Sequence, residues 1–492
     1  MSSVKRNIVW SLSSNVLPLL VGLVLFPKII AAYGLEQFGL LTLVWAFIGY
    51  FSLFDLGLSR ALTQQVSDYI AKDKSPAEIA RLIRTGFISM WLLGIVGGLA
   101  LWWSAPLIIE RLLKIPTELQ APSLQAFALL ALCIPLVVHT AALRATLEAL
   151  HLFKWTSIIR SILGVGSFLA PYLASFVSPT LKSAVISIVL VRILAWLLHV
   201  YALKHSHILS TKTRLFDLDQ LKSLFRFGGW MTISNLISPL MEYMDRFLIT
   251  GILGVIATSY YVAPYEVVTK LLVIPGAIAG VLFPLFSQQW QKEPTHAARL
   301  LKQGFIYTLL LLFPVAVFVV FFANEWLSLW LTPEFAIQAR LVVSWLMIGV
   351  LINTGAQILF AKVQGAGRSD WTAKLHLAEV LPYLGLLYAS LYWWGIAGAA
   401  FVWCLRVAID LVGLIIFTNR INPLNLQSLR PYLWMLAIAV ALLIPSIFNA
   451  SLTIRTCEVA LILMMYVWVS VRELYSDGML EKIRQFIKLR LG

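Results

Sequence analysis

Charge is scarce in this chain. Asp, Glu, Lys and Arg together make up 12% of its 492 residues, and hydrophobic residues make up 60%. A soluble protein with those fractions would expose apolar surface everywhere. A bilayer turns the same composition into a requirement, because a helix needs about 20 apolar residues to cross the hydrocarbon core. Acids are scarcer than bases, 23 against 38, for a net charge of +15. In a soluble protein that balance would suggest nucleic acid. Here it fits basic residues crowded into cytoplasmic loops, where they fix topology, and no nucleic-acid partner is expected.

Cysteine is almost absent. Cys133, Cys404 and Cys457 lie in or beside apolar runs without metal spacing, so neither a disulfide framework nor a zinc site is expected. The seven His are scattered, with no two at ligand spacing. No Walker A loop and no glycine-rich phosphate cradle is present. No soluble catalytic domain has room to exist, since the longest outer connection is only about 14 residues on a span-length criterion. The chain therefore reads as a non-enzyme, with no cofactor and no metal.

What remains is apolar helix. About fourteen spans fit the length criterion, near 7–32, 37–57, 85–108, 122–147, 156–177, 183–203, 227–252, 255–282, 302–324, 338–361, 373–393, 396–418, 430–449 and 453–471. The first is read as an uncleaved transmembrane helix, because its apolar run outlasts the roughly 7–15 residues of a signal-peptide core. With the N-terminus in the cytoplasm, about 26 of the 38 Lys and Arg fall in cytoplasmic segments, about 5 outside and about 7 within spans. The short turns at Gly34, Gly254 and Gly395 carry no Lys or Arg. Both termini are then expected to be cytoplasmic.

Traces of an internal repeat run through the chain. Trp10, Ser14, Asn15 and Gly34 match Trp230, Ser234, Asn235 and Gly254 at one offset, and Trp155-Thr156 match Trp371-Thr372. Six helices separate the copies, an even number, which makes the repeat parallel and predicts two lobes around a cavity. The expected architecture is an all-α polytopic membrane protein. Residues 1–205 form an N-terminal six-helix lobe, 206–425 a second, 426–475 two further helices, and 476–492 an amphipathic cytoplasmic tail. In that tail Leu480, Ile483, Ile487 and Leu491 recur at helical spacing among Lys482, Arg484, Lys488 and Arg490, as in a helix held to anionic membrane lipid.

Charges inside spans are costly unless paired or hydrated, so they mark candidate function. They are Lys28, Asp55, Arg144, Arg160, Arg192, Glu242, Asp245, Arg246, Glu266, Lys270, Glu379, Arg406 and Asp410. Bases predominate, as a cavity for an anionic passenger would require. Lys28, Arg160, Arg192, Arg246 and Lys270 are candidate substrate-binding groups. Asp55, Glu242, Asp245 and Glu379 are candidate coupling-ion or gating groups. Asn235, Pro239, Glu242 and Arg246 share one helical stripe. Pro239, with Pro18 near the corresponding point of the first span, marks a hinge. The competing reading is mutual neutralisation at i, i+4 spacing, for Glu242–Arg246, Glu266–Lys270 and Arg406–Asp410. Tyr243, Tyr260, Tyr261 and Tyr265 could stack on sugar rings, although interface belts account for most aromatics.

Four stretches carry a family resemblance. Tyr33-Gly34-Leu35-Glu36-Gln37-Phe38-Gly39 and Phe54-Asp55-Leu56-Gly57-Leu58-Ser59 lie in the first hundred residues, with Asn15. Asp245-Arg246-Phe247-Leu248-Ile249 lies in the seventh helix, and Gln364-Gly365-Ala366-Gly367-Arg368 after the tenth. Together they resemble the polysaccharide-transport family of oligosaccharide flippases, which includes the O-antigen flippases and shares a superfamily with multidrug extruders and the lipid II flippase. The resemblance implies a V of two six-helix lobes in the bacterial inner membrane. It implies a polyprenyl-pyrophosphate-linked oligosaccharide as cargo, ion-coupled alternating access, and a polysaccharide polymerase and chain-length regulator as partners. Two rivals remain. A drug extruder of the same fold would favour a carboxylate-rich cavity, and a polysaccharide polymerase would need a larger outer loop.

Overall fold

The structure, a computed structural model, describes residues 3–53, 55–206, 208, 214–289, 293–448 and scattered positions between 453 and 467; side chains of residues 3–15, 53, 226–240, 288–289, 424–428, 431 and 445–448 are outside that set. The tail at 476–492 and Cys457 also fall outside the described residues, whereas Cys133 and Cys404 are free and buried.

Every regular element among the described residues is helical. In order they are α1 (Ser3–Leu53), α2 (Leu58–Ala71), α3 (Pro76–Leu107), α4 (Thr117–Ala149), α5 (Phe153–Ser175), α6 (Leu181–Lys204) and α7 (Leu218–Leu253). Then follow α8 (Val255–Val268), α9 (Val273–Gln289), α10 (Pro294–Phe321), α11 (Ala323–Trp330), α12 (Pro333–Gly365), α13 (Ser369–Ile421) and α14 (Pro423–Phe448). Helix is the only backbone form here that satisfies its own N–H and C=O groups in lipid without a neighbour. Among the described residues nine helices are long and apolar enough to cross a membrane. Two of these are broken internally, α1 at Gly34 and α13 at Gly395. The protein is a multi-pass membrane protein.

The starts of these helices are written in the sequence. Pro occupies the first turn of α3, α10 and α12, where its missing N–H is no loss. Ser75 caps α3 in a reciprocal box with Glu78, and Thr332 accepts the Phe335 N–H at 3.1 Å to cap α12. Asp217 caps α7, and the Gln220 and Asp219 N–H groups, with Arg81 beside them, hold its carboxyl below the usual carboxylate range. Large exposed aromatics such as Trp102, Trp103, Trp393 and Trp394 suit membrane interfaces.

Three turns predicted from glycine are sharper than expected. Gly34 (φ 75, ψ 166) and Gly254 (φ 90, ψ 172) join consecutive helices with no loop at all, and Gly395 does the same at φ 58. An L side chain rarely adopts that backbone region. The matched pair Gly34 and Gly254 therefore share conformation as well as identity.

The second match extends further than two residues. The boundaries of α4 recur 216 positions later in α12 (117 to 333, 149 to 365), and the start of α5 recurs at the start of α13 (153 to 369). The C-terminal cap repeats bond for bond. Leu152 N–H donates to Leu147 O, and His151 N–H to Glu148 O. At the same offset Arg368 N–H donates to Val363 O, and Gly367 N–H to Gln364 O. That is a Schellman cap, with His151 (φ 57) and Gly367 (φ 78) in the left-handed position. Thr156 and Thr372 then donate to Phe153 O and Ser369 O at 3.0 and 2.9 Å.

The chain divides into two packing units. One comprises residues 1–273 and 373–402, the other 274–372 and 403–492. In the first, α3 packs on α4, α1 on α5, and α6 on both α4 and α5; in the second, α10 packs on α12 and α14. α4 and α12 are the most deeply buried spans of their respective units. Pro18, proposed from sequence as a hinge, packs directly on Gly164 of α5, where any side chain would collide with the proline ring. The helix of α7 runs on through position 239, whose side chain is outside the described residues.

Candidate functional site

Two polar clusters stand out in the first unit. The first joins α7 to α8. Arg246, 2% exposed, donates from Nη2 to Glu266 Oε1 at 2.6 Å. Its guanidinium lies 5.0 Å from the rings of both Tyr243 and Tyr265. Glu266 is shared, since Lys270 Nζ lies 3.4 Å from its other oxygen. Asp245 accepts from the Tyr261 hydroxyl and the Arg246 N–H, both at 2.7 Å. The Tyr261 and Tyr265 rings stack at 5.7 Å. Each buried ion here has an opposite charge or donors, which is what makes burial tolerable.

The sequence alone offered Glu242 as the i, i+4 partner of Arg246. The structure gives Arg246 to Glu266 instead and leaves Glu242 exposed. The reason is geometric: the break at Gly254 folds α8 back along α7, so an acid 20 positions away comes closer than one a helical turn away. The expected Glu266–Lys270 pair is present. Tyr261 and Tyr265 are buried and committed to this network, so they are not free to stack on a sugar. Glu379 and Tyr383 of α13 are buried too, and Tyr383 lies near Tyr261.

The repeat supplies an internal comparison. At an offset of 220, Arg246, Tyr265 and Glu266 correspond to Phe26, Trp45 and Ala46. Phe26 packs edge-on to Trp45 at 6.0 Å, where Arg246 packs on Tyr265 at 5.0 Å. One copy fills the position with an aromatic pair and the other with an ion network. The helical frame therefore does not itself require the charges.

The second cluster surrounds a cavity of about 280 Å³ among α1, α2, α4 and α5, lined by Asp55, Ser59, Arg60, Arg144, Glu148 and Arg160 among others. Arg144 and Arg160 flank Glu148 at 3.9 and 3.8 Å. Asp55, 5% exposed, accepts from the Gly57 N–H at 3.0 Å, the Ser59 N–H at 3.3 Å and the Ser59 hydroxyl. It thereby caps the start of α2. The turn it closes holds Leu56 (φ 49) and Gly57 (φ 73) in the left-handed region.

The remaining candidates lie apart. Lys28 is exposed on α1 with its ammonium 5.5 Å from the Tyr172 ring. Arg192, half-buried on α6, has an Nε without a hydrogen-bond partner and lies near Cys133 and Tyr243. Lys28 joins neither cluster. Arg60 and Glu148 escaped the sequence reading because they sit just past helix limits, yet both signals were available. Glu148 follows Arg144 at i, i+4, and Arg60 directly follows the Asp55–Ser59 motif. Among the described residues no group of His, Cys, Asp and Glu is placed to hold a metal.

A helical frame used twice, with charged groups buried between its spans, defines a membrane-transporter architecture. Comparison with known proteins makes it specific. A family model described as Polysaccharide biosynthesis protein matches residues 4–290, and one described as MatE matches residues 231–388. A "Putative O-antigen transporter" of Shigella flexneri is 32% identical over 408 residues, spanning 83% of this chain and 96% of that one. A "Probable low-salt glycan biosynthesis flippase Agl15" of Haloferax volcanii is 22% identical over 210 residues, 42% of this chain and 43% of that one. A solved "Lipid II flippase MurJ, inward closed conformation" shares the fold with a TM-score of 0.69 at 13% identity, over 96% of this chain and 99% of that one. The chain belongs to the polysaccharide biosynthesis protein family, the oligosaccharide flippases of the superfamily that also holds the multidrug extruders.

Proposed function

We propose that the protein carries a polyprenyl-pyrophosphate-linked oligosaccharide, an O-antigen or similar repeat unit, across the bacterial inner membrane. It moves its cargo from the cytoplasmic to the outer leaflet by ion-coupled alternating access and catalyses no covalent chemistry. Sugar hydroxyls and a diphosphate cannot cross hydrocarbon unaided, because unpaired polar groups and charges are costly there. The observation that carries this reading is the surplus of bases set within apolar spans: Lys28, Arg160, Arg192 and Lys270 add positive charge beside the closed pair Arg246–Glu266. Those bases attract the anionic part of the cargo while its tail stays in lipid. The carboxylates Glu242, Asp245 and Glu379 are the coupling groups, and Asp55 holds the turn that opens α2. The lobes 1–205 and 206–425 move against one another around Pro18 and Pro239, with 426–475 following as extra helices. Cytoplasmic termini place the tail 476–492 on the inner-leaflet surface, and a polymerase and chain-length regulator receive the cargo.

The test is deletion of the gene in its native host, followed by analysis of polyprenyl-linked glycans and surface polysaccharide. Lipid-linked units accumulating on the cytoplasmic side, with surface glycan lost, are expected. Complete units that reach the outer leaflet but stay unpolymerised would point to a polymerase instead. An unchanged glycan profile with altered drug sensitivity would point to an extruder.

A further inference from the structure

We infer that Gly39 and Ser259 form the outer closure of the transport path: equivalent positions of the two repeats, pressed together across the pseudo-two-fold axis and parted in each cycle. Its purpose rests on the proposed function and its side on the proposed orientation; the contact itself stands on neither.

The offset of 220 that relates Gly34 to Gly254 also relates Leu35 to Val255 and Gly39 to Ser259. These are the positions that meet. A Cβ at Gly39 would strike the Val255 carbonyl oxygen and the Ser259 hydroxyl. Across the same contact, the Ser259 hydroxyl donates to the Leu35 carbonyl at 2.6 Å. Exchanging each residue for its repeat partner turns one of these contacts into the other. Such reciprocity marks a two-fold interface, and a parallel repeat runs its axis along the membrane normal. The second half of α1 and the start of α8 therefore cross on that axis. They do so within about two helical turns of the breaks at Gly34 and Gly254.

The backbones approach too closely here for two side chains. One copy therefore carries glycine and the other supplies a single hydroxyl. One neutral hydrogen bond and close backbone packing hold the contact, which is weak enough to part. A second close approach lies at the same end of α7, where a Cβ at Gly251 would strike the Leu112 carbonyl in the π-helical turn Ile108–Leu112. Further along α1 the reciprocity ends. Phe47 packs on Phe247 at 4.7 Å, and Gly49 lies against the Tyr243 hydroxyl. The opposite end of α7 is joined to α2 and α3 by polar side chains instead. Tyr69 donates to Gln220 at 3.1 Å, the Asp217 N–H donates to Thr85 Oγ1 at 3.1 Å, and Arg81 lies 3.4 Å from Asp217. First-repeat helices thus hold α7 and α8 at both ends, and alternating access requires parting one end at a time.

The experiment uses the full chain in right-side-out membrane vesicles, with Cys133, Cys404 and Cys457 replaced by Ser and a reporter Phe47→Cys behind the contact. A membrane-impermeant maleimide reads the reporter's exposure from outside. Gly39→Ser should speed labelling about tenfold or more, the scale of overpacking a tight contact. Ser259→Gly should speed it severalfold by removing the hydrogen bond. Gly39→Ser combined with Ser259→Gly should restore slow labelling, because the hydroxyl then reaches the Val255 carbonyl from the other side. Misfolding cannot imitate a recovery that needs both changes. A double variant labelled as fast as Gly39→Ser alone overturns the closure, as do unchanged rates in both single variants. The same pattern seen in inside-out vesicles alone overturns its outer side. The closure and the flippase reading fail separately. A chain that shows the reciprocal labelling but moves no lipid-linked glycan loses only the function, and one that moves glycan with labelling unchanged across the variants loses only the closure.

Discussion

Arg246→Met should destabilise the protein by about 3 kcal/mol, because it leaves Glu266 buried without its nearest counter-charge. Glu266 is 19% exposed at its side chain and bonds Arg246 at 2.6 Å. Breaking one half of a buried pair costs about 3–5 kcal/mol. The lower end applies here because Lys270 stays within 3.4 Å of the other carboxylate oxygen. Arg246→Lys should recover part of the loss but not the planar contact with Tyr243 and Tyr265, which a point-charge ammonium makes less well. The double variant Arg246→Met with Glu266→Leu should regain most of the stability, since replacing a buried pair outright by apolar groups is often neutral. Thermal unfolding of the purified chain reads these differences. Surface-polysaccharide rescue reads a second property: a double variant that is stable but inactive assigns the network to the transport cycle, and one that is stable and active assigns it to packing alone.

Gly254→Val and Gly34→Val should each cost about 1–3 kcal/mol, the strain of a side chain in this backbone region. No neighbouring atom lies within 4 Å of a Cβ at either position, so the Cβ itself meets no collision and its penalty is conformational. That makes the pair a clean test. Gly254→Val carries the greater consequence, because the turn at Gly254 folds α8 onto α7 and so brings Glu266 to Arg246. Gly385→Ala in α13 also meets open space, but without a positive φ, and it should be neutral or stabilising by about 0.4–1 kcal/mol. If the three substitutions have equal effects on thermal unfolding, the strained-turn account fails.

These examples also indicate what the sequence made legible. Helices and their ends could be read because apolar runs, capping residues and proline are local signals. The glycine turns could be read because a lone Gly between spans has few other uses. The repeat was visible in only a few identities. Its stronger form, equal helix boundaries and a duplicated cap, involves His151 matching Gly367, two residues no comparison of identities would align. The partners of the buried charges were the hardest part. Spacing on one helix nominated Glu242 for Arg246, but a sharp turn made the next helix the nearer neighbour. Arg144 and Arg160 were visible as intramembrane bases. Their convergence on Glu148 required the fold, since the cap at His151 turns the chain from α4 into α5 and the pairing follows from how the two helices pack. Asp55 was legible as a buried acid, but its role as the cap of α2 depended on a turn with two left-handed residues.

The most direct test of the flippase reading is reconstitution of the purified protein into liposomes. A lipid-linked oligosaccharide from the native host is placed in one leaflet, and its arrival in the other is followed with a membrane-impermeant lectin or glycosidase. Time-dependent exposure above that of protein-free liposomes, faster under an imposed ion gradient, is the predicted result. Exposure no faster than in protein-free liposomes, with transport of a cationic drug by the same preparation, would contradict it.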